Sequence, residues 1–176
     1  MRTLFLDHTL RRRGEVLRRR LGEHLRRHAG AYLLLLSAAQ LFQTQFAIGV
    51  NASGSLPQTL FLIHKGERPG RGQYVAFRWP GGGPYPAGAT FVKRIAGAAG
   101  DTVSRVGREF RVNGVPVGTA KMVNRLGQAL EPGPTGVLPA GRYYVMAAHP
   151  DSLDSRYALT GWVSDTQIIG RAYALF

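Results

Sequence analysis

At 176 residues, the chain holds one compact domain plus appendages on a prior of about 150 residues per domain. Its 44% hydrophobic and 19% charged residues exclude wholesale disorder, collagen and coiled-coil classes. Basic residues number 23 against 10 acidic ones, a net +13 that favours nucleic acid, anionic lipid or an acidic partner, while the absence of cysteine excludes disulfide frameworks, Cys-based zinc sites and Cys nucleophiles.

Residues 1–28 form a basic leader with nine arginines against three acids. Its arginines stand at 11–13, 18–20 and 26–27, and Leu10, Leu17, Leu21 and Leu25 are spaced for one helix face, which predicts an amphipathic basic helix attracted to anionic headgroups. The same arginines could neutralise nucleic-acid phosphates. No zinc-finger spacing, helix-turn-helix pattern or aromatic RNA signature accompanies them, so no nucleic acid is expected. His8, His24 and His28 read as solvated surface.

Residues 29–50 follow as 22 positions without a formal charge, including the leucine run at 33–36. The length predicts a transmembrane helix, although Ser37, Gln40, Gln43, Thr44 and Gln45 crowd its second half. A buried helix of a soluble domain and a cleaved signal peptide are the alternatives. Arginines beside a span hold their end in the cytoplasm. The expectation is therefore a single-pass protein with residues 51–176 outside the cytoplasm.

After Val50, short apolar runs alternate with Gly and Pro, the pattern of an all-β domain. Strands are predicted over 59–64, 73–78, 90–96, 102–105, 109–112, 142–147 and 168–174. Asn113-Gly114, between apolar flanks in 109–117, signals a hairpin. Residues 80–88 and 127–141 read as loops.

Three islands carry chemistry. In the first, Asn51-Ala52-Ser53-Gly54-Ser55-Leu56-Pro57, an uncrowded Ser55 hydroxyl could act as nucleophile, with its own N–H and the Ser53 hydroxyl near a developing oxyanion. The second island is Phe91-Val92-Lys93-Arg94-Ile95, running on to Gly100-Asp101. Alternation puts Lys93 on one face with Phe91 and Ile95, and desolvation there lowers an amine's pKa toward the range of a general base. In the third, Pro150-Asp151-Ser152-Leu153-Asp154-Ser155-Arg156-Tyr157, Asp154 and Arg156 could clamp a loop and leave Ser152 free to orient another polar group. Taken singly, these read equally well as a Ser/Gly loop, an edge strand with a snorkelling lysine and a polar turn.

Together and in this order, with Gly170-Arg171-Ala172 closing the chain, the islands resemble the type I signal peptidase family of serine proteases. That resemblance covers nearly everything after Ala29. It implies a mainly β fold: a signal-peptidase-like antiparallel β domain behind the basic amphipathic helix and one transmembrane helix. It also implies Ser55 as nucleophile, Lys93 as general base, Ser53 as a donor to the oxyanion, Ser152 as the residue orienting Lys93, and Asp154 with Arg156 as a structural ion pair. No cofactor or metal is implied, and small pockets for Ala-like side chains are. Leu56 stands where the family has Met, and Met146-Ala147-Ala148-His149-Pro150-Asp151 replaces its usual run before the third island. The Ser55-to-Pro57 spacing and the form of the third island are similar to the TraF-like peptidases of conjugative transfer. By that likeness the partner is a membrane-embedded precursor, a pilin or other preprotein, that is cut or cyclised, and the resemblance implies the bacterial inner membrane with residues 51–176 in the periplasm. A LexA-like self-cleaving, DNA-binding repressor and a non-catalytic, membrane-tethered pilus-assembly adaptor are the competing readings.

Overall fold

A computed structural model describes the backbone from Arg2 and the side chains from Gly14. Leu10 and the arginines at 11–13 of the expected basic face lie outside the described side chains. The chain divides into two compact units, one reaching to Thr44 and one starting at Gln45.

The first unit is a single helix, α1 (Arg2–Gln45). It is built from Leu, Arg, Ala and Glu with no proline, all strong helix formers. Leu17, Leu21 and Leu25 stand exposed along one side, and Arg19 pairs with Glu23 one turn on at 3.1 Å.

The span expected over 29–50 is corrected by this helix. Its last five residues are not helical: they form strand β1 (Phe46–Val50), paired antiparallel with β2 (Leu60–Lys65) from Phe46 opposite His64 to Val50 opposite Leu60. What remains, 29–45, reaches about 25 Å at 1.5 Å per residue, short of a hydrocarbon core of about 30 Å, and it keeps the three glutamines. No helix among the described residues is long and apolar enough to cross a membrane. The single-pass topology therefore has no support in α1.

The second unit is antiparallel β throughout its named pairs. Besides β1 and β2 it contains β3 (Tyr74–Arg78), β4 (Thr90–Gly97), β5 (Thr102–Val106), β6 (Glu109–Val112), β7 (Val115–Thr119), β8 (Gly136–Val137), β9 (Arg142–Met146), β10 (Val163–Ser164) and β11 (Ile168–Ala174). They form a seven-stranded sheet ordered β1-β2-β11-β3-β4-β9-β10 and a four-stranded sheet ordered β7-β6-β5-β8. The expected strands are all found, with bounds unchanged or shifted by one residue. The Asn113-Gly114 hairpin joins β6 to β7, and both residues have positive φ, 49° and 79°, as a type I′ turn demands. The loop expected over 127–141 contains the two-residue β8.

Three buried clusters form the core. Phe61, Ile63, Ala76 and Leu56 lie in one, Phe77, Trp79, Ile95 and Val163 in a second, and Phe110, Leu138, Tyr144 and Tyr157 in a third. The closing strand β11 lies between β2 and β3. Its Gly170 approaches β2 so closely that a Cβ there would meet the His64 carbonyl oxygen at 1.9 Å, so only glycine fits.

Candidate active site

Three segments of the β unit meet around Lys93. Residues 51–59 join β1 to β2, and the Asn51 N–H donates to the Thr59 carbonyl at 2.8 Å, which closes that segment at its base. Strand β4 pairs with β3 on one side and β9 on the other. The 147–157 segment leaves β9 directly and folds back on it, the Ser155 N–H donating to the Val145 carbonyl at 3.0 Å.

Lys93 is 3% exposed and Ser55 6%. The Lys93 Nζ donates to Ser55 Oγ at 2.8 Å. On the same strand face, Nζ lies 5.7 Å from the Phe91 ring centre, and Ile95 is buried two residues on. Removing water from an ammonium favours its neutral form. Burial accordingly lowers the Lys93 amine from the ordinary 10.5 to about 8; the negative charge of Asp154 pulls it up and the positive charge of Arg156 pushes it down. Near neutral pH the site therefore holds a usable fraction of free amine within reach of a hydroxyl proton.

Ser53 Oγ donates to Ser55 Oγ at 3.1 Å. Between the two serines Gly54 has φ +61°, a left-handed turn that suits glycine. Leu56 is buried and packs into the cluster of Phe61, Ile63, Ala147 and Ala172, which anchors the segment just past Ser55.

Asp154 and Arg156 form a bidentate pair, with Arg156 Nε donating to Oδ1 and Nη2 to Oδ2, each at 2.8 Å. The same guanidinium donates to the carbonyls of Ala147 at 3.3 Å and His149 at 3.2 Å, and Asp154 Oδ2 accepts the Ala147 N–H at 3.1 Å. This pair ties the 147–157 segment to itself. Ser152 is buried, but its Oγ has no hydrogen-bond partner among the described residues and makes no bond to Lys93.

Two contributors stand inside the islands but were given no role by the sequence. Asn51 bonds to both serine hydroxyls; its only signal was an Asn shortly before a Ser-Gly-Ser turn, where such side chains often bond locally. Asp101 accepts from Ala98 N–H at 2.8 Å, from Asn113 Nδ2 at 2.8 Å and from Arg71, and thereby fixes the turn after β4. Among the described residues no group of three or more metal-binding side chains occurs.

A hydroxyl beside a desolvated amine, with a second hydroxyl next to it, can form and cleave esters. The model of the family described as signal peptidase, peptidase S26, matches residues 21–176. A search of the curated proteins finds no match. Among solved structures, a signal peptidase I from Enterococcus faecalis is similar at 23% identity, covering 62% of this chain and 98% of that one with a TM-score of 0.39. The family match takes in the three segments around Lys93, and the chain belongs to the signal peptidase family, peptidase S26, a family of serine peptidases.

Proposed function

We propose that the protein is a Ser-Lys endopeptidase that cuts an exported precursor, with a pilin of a conjugative-transfer system as its substrate. Membership of the signal peptidase family, which acts on exported precursor proteins, supports the reaction class. The pilin rests on the TraF-like form of the first and third islands. The single observation that carries the chemistry is the 2.8 Å contact between a buried Lys93 amine and Ser55 Oγ.

In this mechanism neutral Lys93 Nζ takes the Ser55 proton as Oγ attacks the scissile carbonyl. The oxyanion that forms is met by the Ser53 hydroxyl and the Ser55 N–H. The Lys93 ammonium then gives its proton to the leaving amine as the C–N bond breaks, which leaves an ester on Ser55. Water, deprotonated by the same amine, releases the acid. Where the trimmed peptide's own amino terminus reaches the ester first, aminolysis closes a ring, and relative positioning decides between the two. Asp154 and Arg156 hold the segment that carries Ser152, whose buried hydroxyl makes no bond to Lys93 in the free site and orients the amine only on turning toward it when substrate is bound.

The test is to incubate the purified chain in micelles with a pilin precursor and weigh the products. Cutting is expected, and it should vanish in Ser55→Ala and in Lys93→Ala with the fold retained. A product lighter by one water than the trimmed linear peptide marks ring closure. Unimpaired processing by both variants would make the chain an adaptor and end the peptidase account.

A further inference from the structure

The carboxamide of Asn51 uses all four of its hydrogen-bonding positions around the serine loop. Its Nδ2 donates to the carbonyls of Leu56 at 2.9 Å and Gln58 at 3.0 Å. Its Oδ1 accepts from Ser53 Oγ at 3.1 Å and lies 3.5 Å from Ser55 Oγ, at the outer limit of a hydrogen bond. The orientation is forced, because rotating the amide by half a turn would set an oxygen against two carbonyl oxygens, none of which can donate.

We propose that Asn51 is a positioning residue for the Ser55-Lys93 pair, one that sets the loop through two carbonyls and steers both serine hydroxyls through a single oxygen. The inference rests on the peptidase reading above and goes beyond it in assigning a residue outside the dyad. Each serine has one proton to place. While Lys93 is an ammonium it donates to Ser55 Oγ, and the Ser55 proton turns to Asn51 Oδ1. Once the amine is neutral, that proton turns to Nζ at 2.8 Å, the shorter contact. Oδ1 then holds the Ser53 hydroxyl beside Ser55, and as the oxyanion develops the Ser53 proton turns from Oδ1 to it. The carboxamide thus gives the Ser55 proton a weak resting partner and the amine a strong one, a difference that favours transfer.

The charged groups sensed by Lys93 are Asp154 and Arg156, both on the 147–157 segment, and Asn51 faces the pair from the opposite segment as a neutral group. A carboxylate in its place changes that, and gives the test. Lys93 is one of three lysines in the chain, so its Nζ can be followed by nitrogen NMR across pH without any substrate. In Asn51→Asp the Lys93 titration should move to higher pH by about one unit, since a nearby opposite charge favours the ammonium. A carboxamide that merely tied the loop, facing away from the amine, would leave it unmoved.

The kinetic arm uses an internally quenched peptide with alanines on the acyl side of the scissile bond. Asn51→Ala should lower kcat about 10-fold to 100-fold with KM within about 3-fold, the mark of lost alignment rather than lost binding, and circular dichroism should show the fold intact. An unchanged kcat in Asn51→Ala, or an unmoved Lys93 titration in Asn51→Asp, overturns the proposal. Failure of the peptidase reading shows elsewhere: Lys93→Ala would then cut the peptide as well as the wild type does, whatever the Asn51 variants do to the titration.

Discussion

Arg156 and Asp154 stand two residues apart and meet through two parallel hydrogen bonds with both side chains withdrawn from water, 3% and 0% exposed. Removing one member of such a pair leaves the other charge buried and uncompensated, which costs roughly 3–5 kcal/mol. Arg156→Ala and Asp154→Asn should each lower the melting temperature well beyond the effect of an average surface change. The two should also separate by electrostatics. Asp154 raises the Lys93 amine and Arg156 lowers it. The acid limb of the rate should therefore move to lower pH in Asp154→Asn and to higher pH in Arg156→Ala. A pH titration of kcat for the folded variants checks this, and shifts in the same direction would refute it.

In the proposed mechanism Lys93 links catalysis to stability with opposite signs. Its amine titrates near 8 in the folded chain against 10.5 ordinarily. Activity needs the neutral form, so the rate should rise with pH through about 8 and be largely lost well below it. Between these two values the unfolded chain holds a proton that the folded one has released, so this group's contribution to stability increases as pH rises from about 8 to 10.5. Below 8 both states are charged and the full cost of burying the ammonium is present, on the order of 3 kcal/mol at 1.36 kcal/mol per unit. Lys93→Met should hence be inactive yet more stable than the wild type at pH 7 by a measurable part of that amount. Urea melts at pH 7 and 10.5 test it: the gain should shrink at the higher pH, and a variant destabilised at pH 7 would contradict the account.

Much of this was legible in the chain because local pattern and long-range packing agree there. Strands β2 to β6 and β11 alternate or carry apolar runs between turn residues, and Asn113-Gly114 has one favoured conformation. β1 was not legible. Phe46-Ala47-Ile48-Gly49-Val50 continues an uncharged stretch with no break, and five apolar residues fit helix or strand equally well. What ends the helix at Gln45 is ladder pairing with residues 60–64, a contact no local window contains. β8 and β10, two residues each, exist only through their partners. In the site, residue type and order pointed to Ser55 and Lys93, and the Asp154-to-Arg156 spacing pointed to their pairing. The work of Asn51 was hidden because it depends on the loop folding back, which brings the carbonyls of Leu56 and Gln58 to one amide.

No helix among the described residues is long and apolar enough to cross a membrane, and the expectation for the amphipathic part of α1 is that it rests on anionic lipid. Leu17, Leu21 and Leu25 project along one exposed stripe. At 100° per residue Arg18 flanks that stripe on one side and Arg20 and Arg27 on the other, and Arg19 and Arg26 lie opposite. A helix of this kind rests in the interface with leucines toward the acyl chains and flanking guanidiniums at the headgroups. Each basic residue near an anionic surface contributes about 1 kcal/mol. The triple change Arg18→Glu, Arg20→Glu and Arg27→Glu should therefore weaken binding to phosphatidylcholine vesicles containing phosphatidylglycerol by at least about 100-fold. Cosedimentation of the full chain measures this. Binding should also fall with added salt, since surface charges are screened beyond about 10 Å at 0.1 M. Equal affinity for vesicles of phosphatidylcholine alone, or indifference to the triple change, would mean that the arginines face water and that the leucine stripe meets something other than an anionic bilayer.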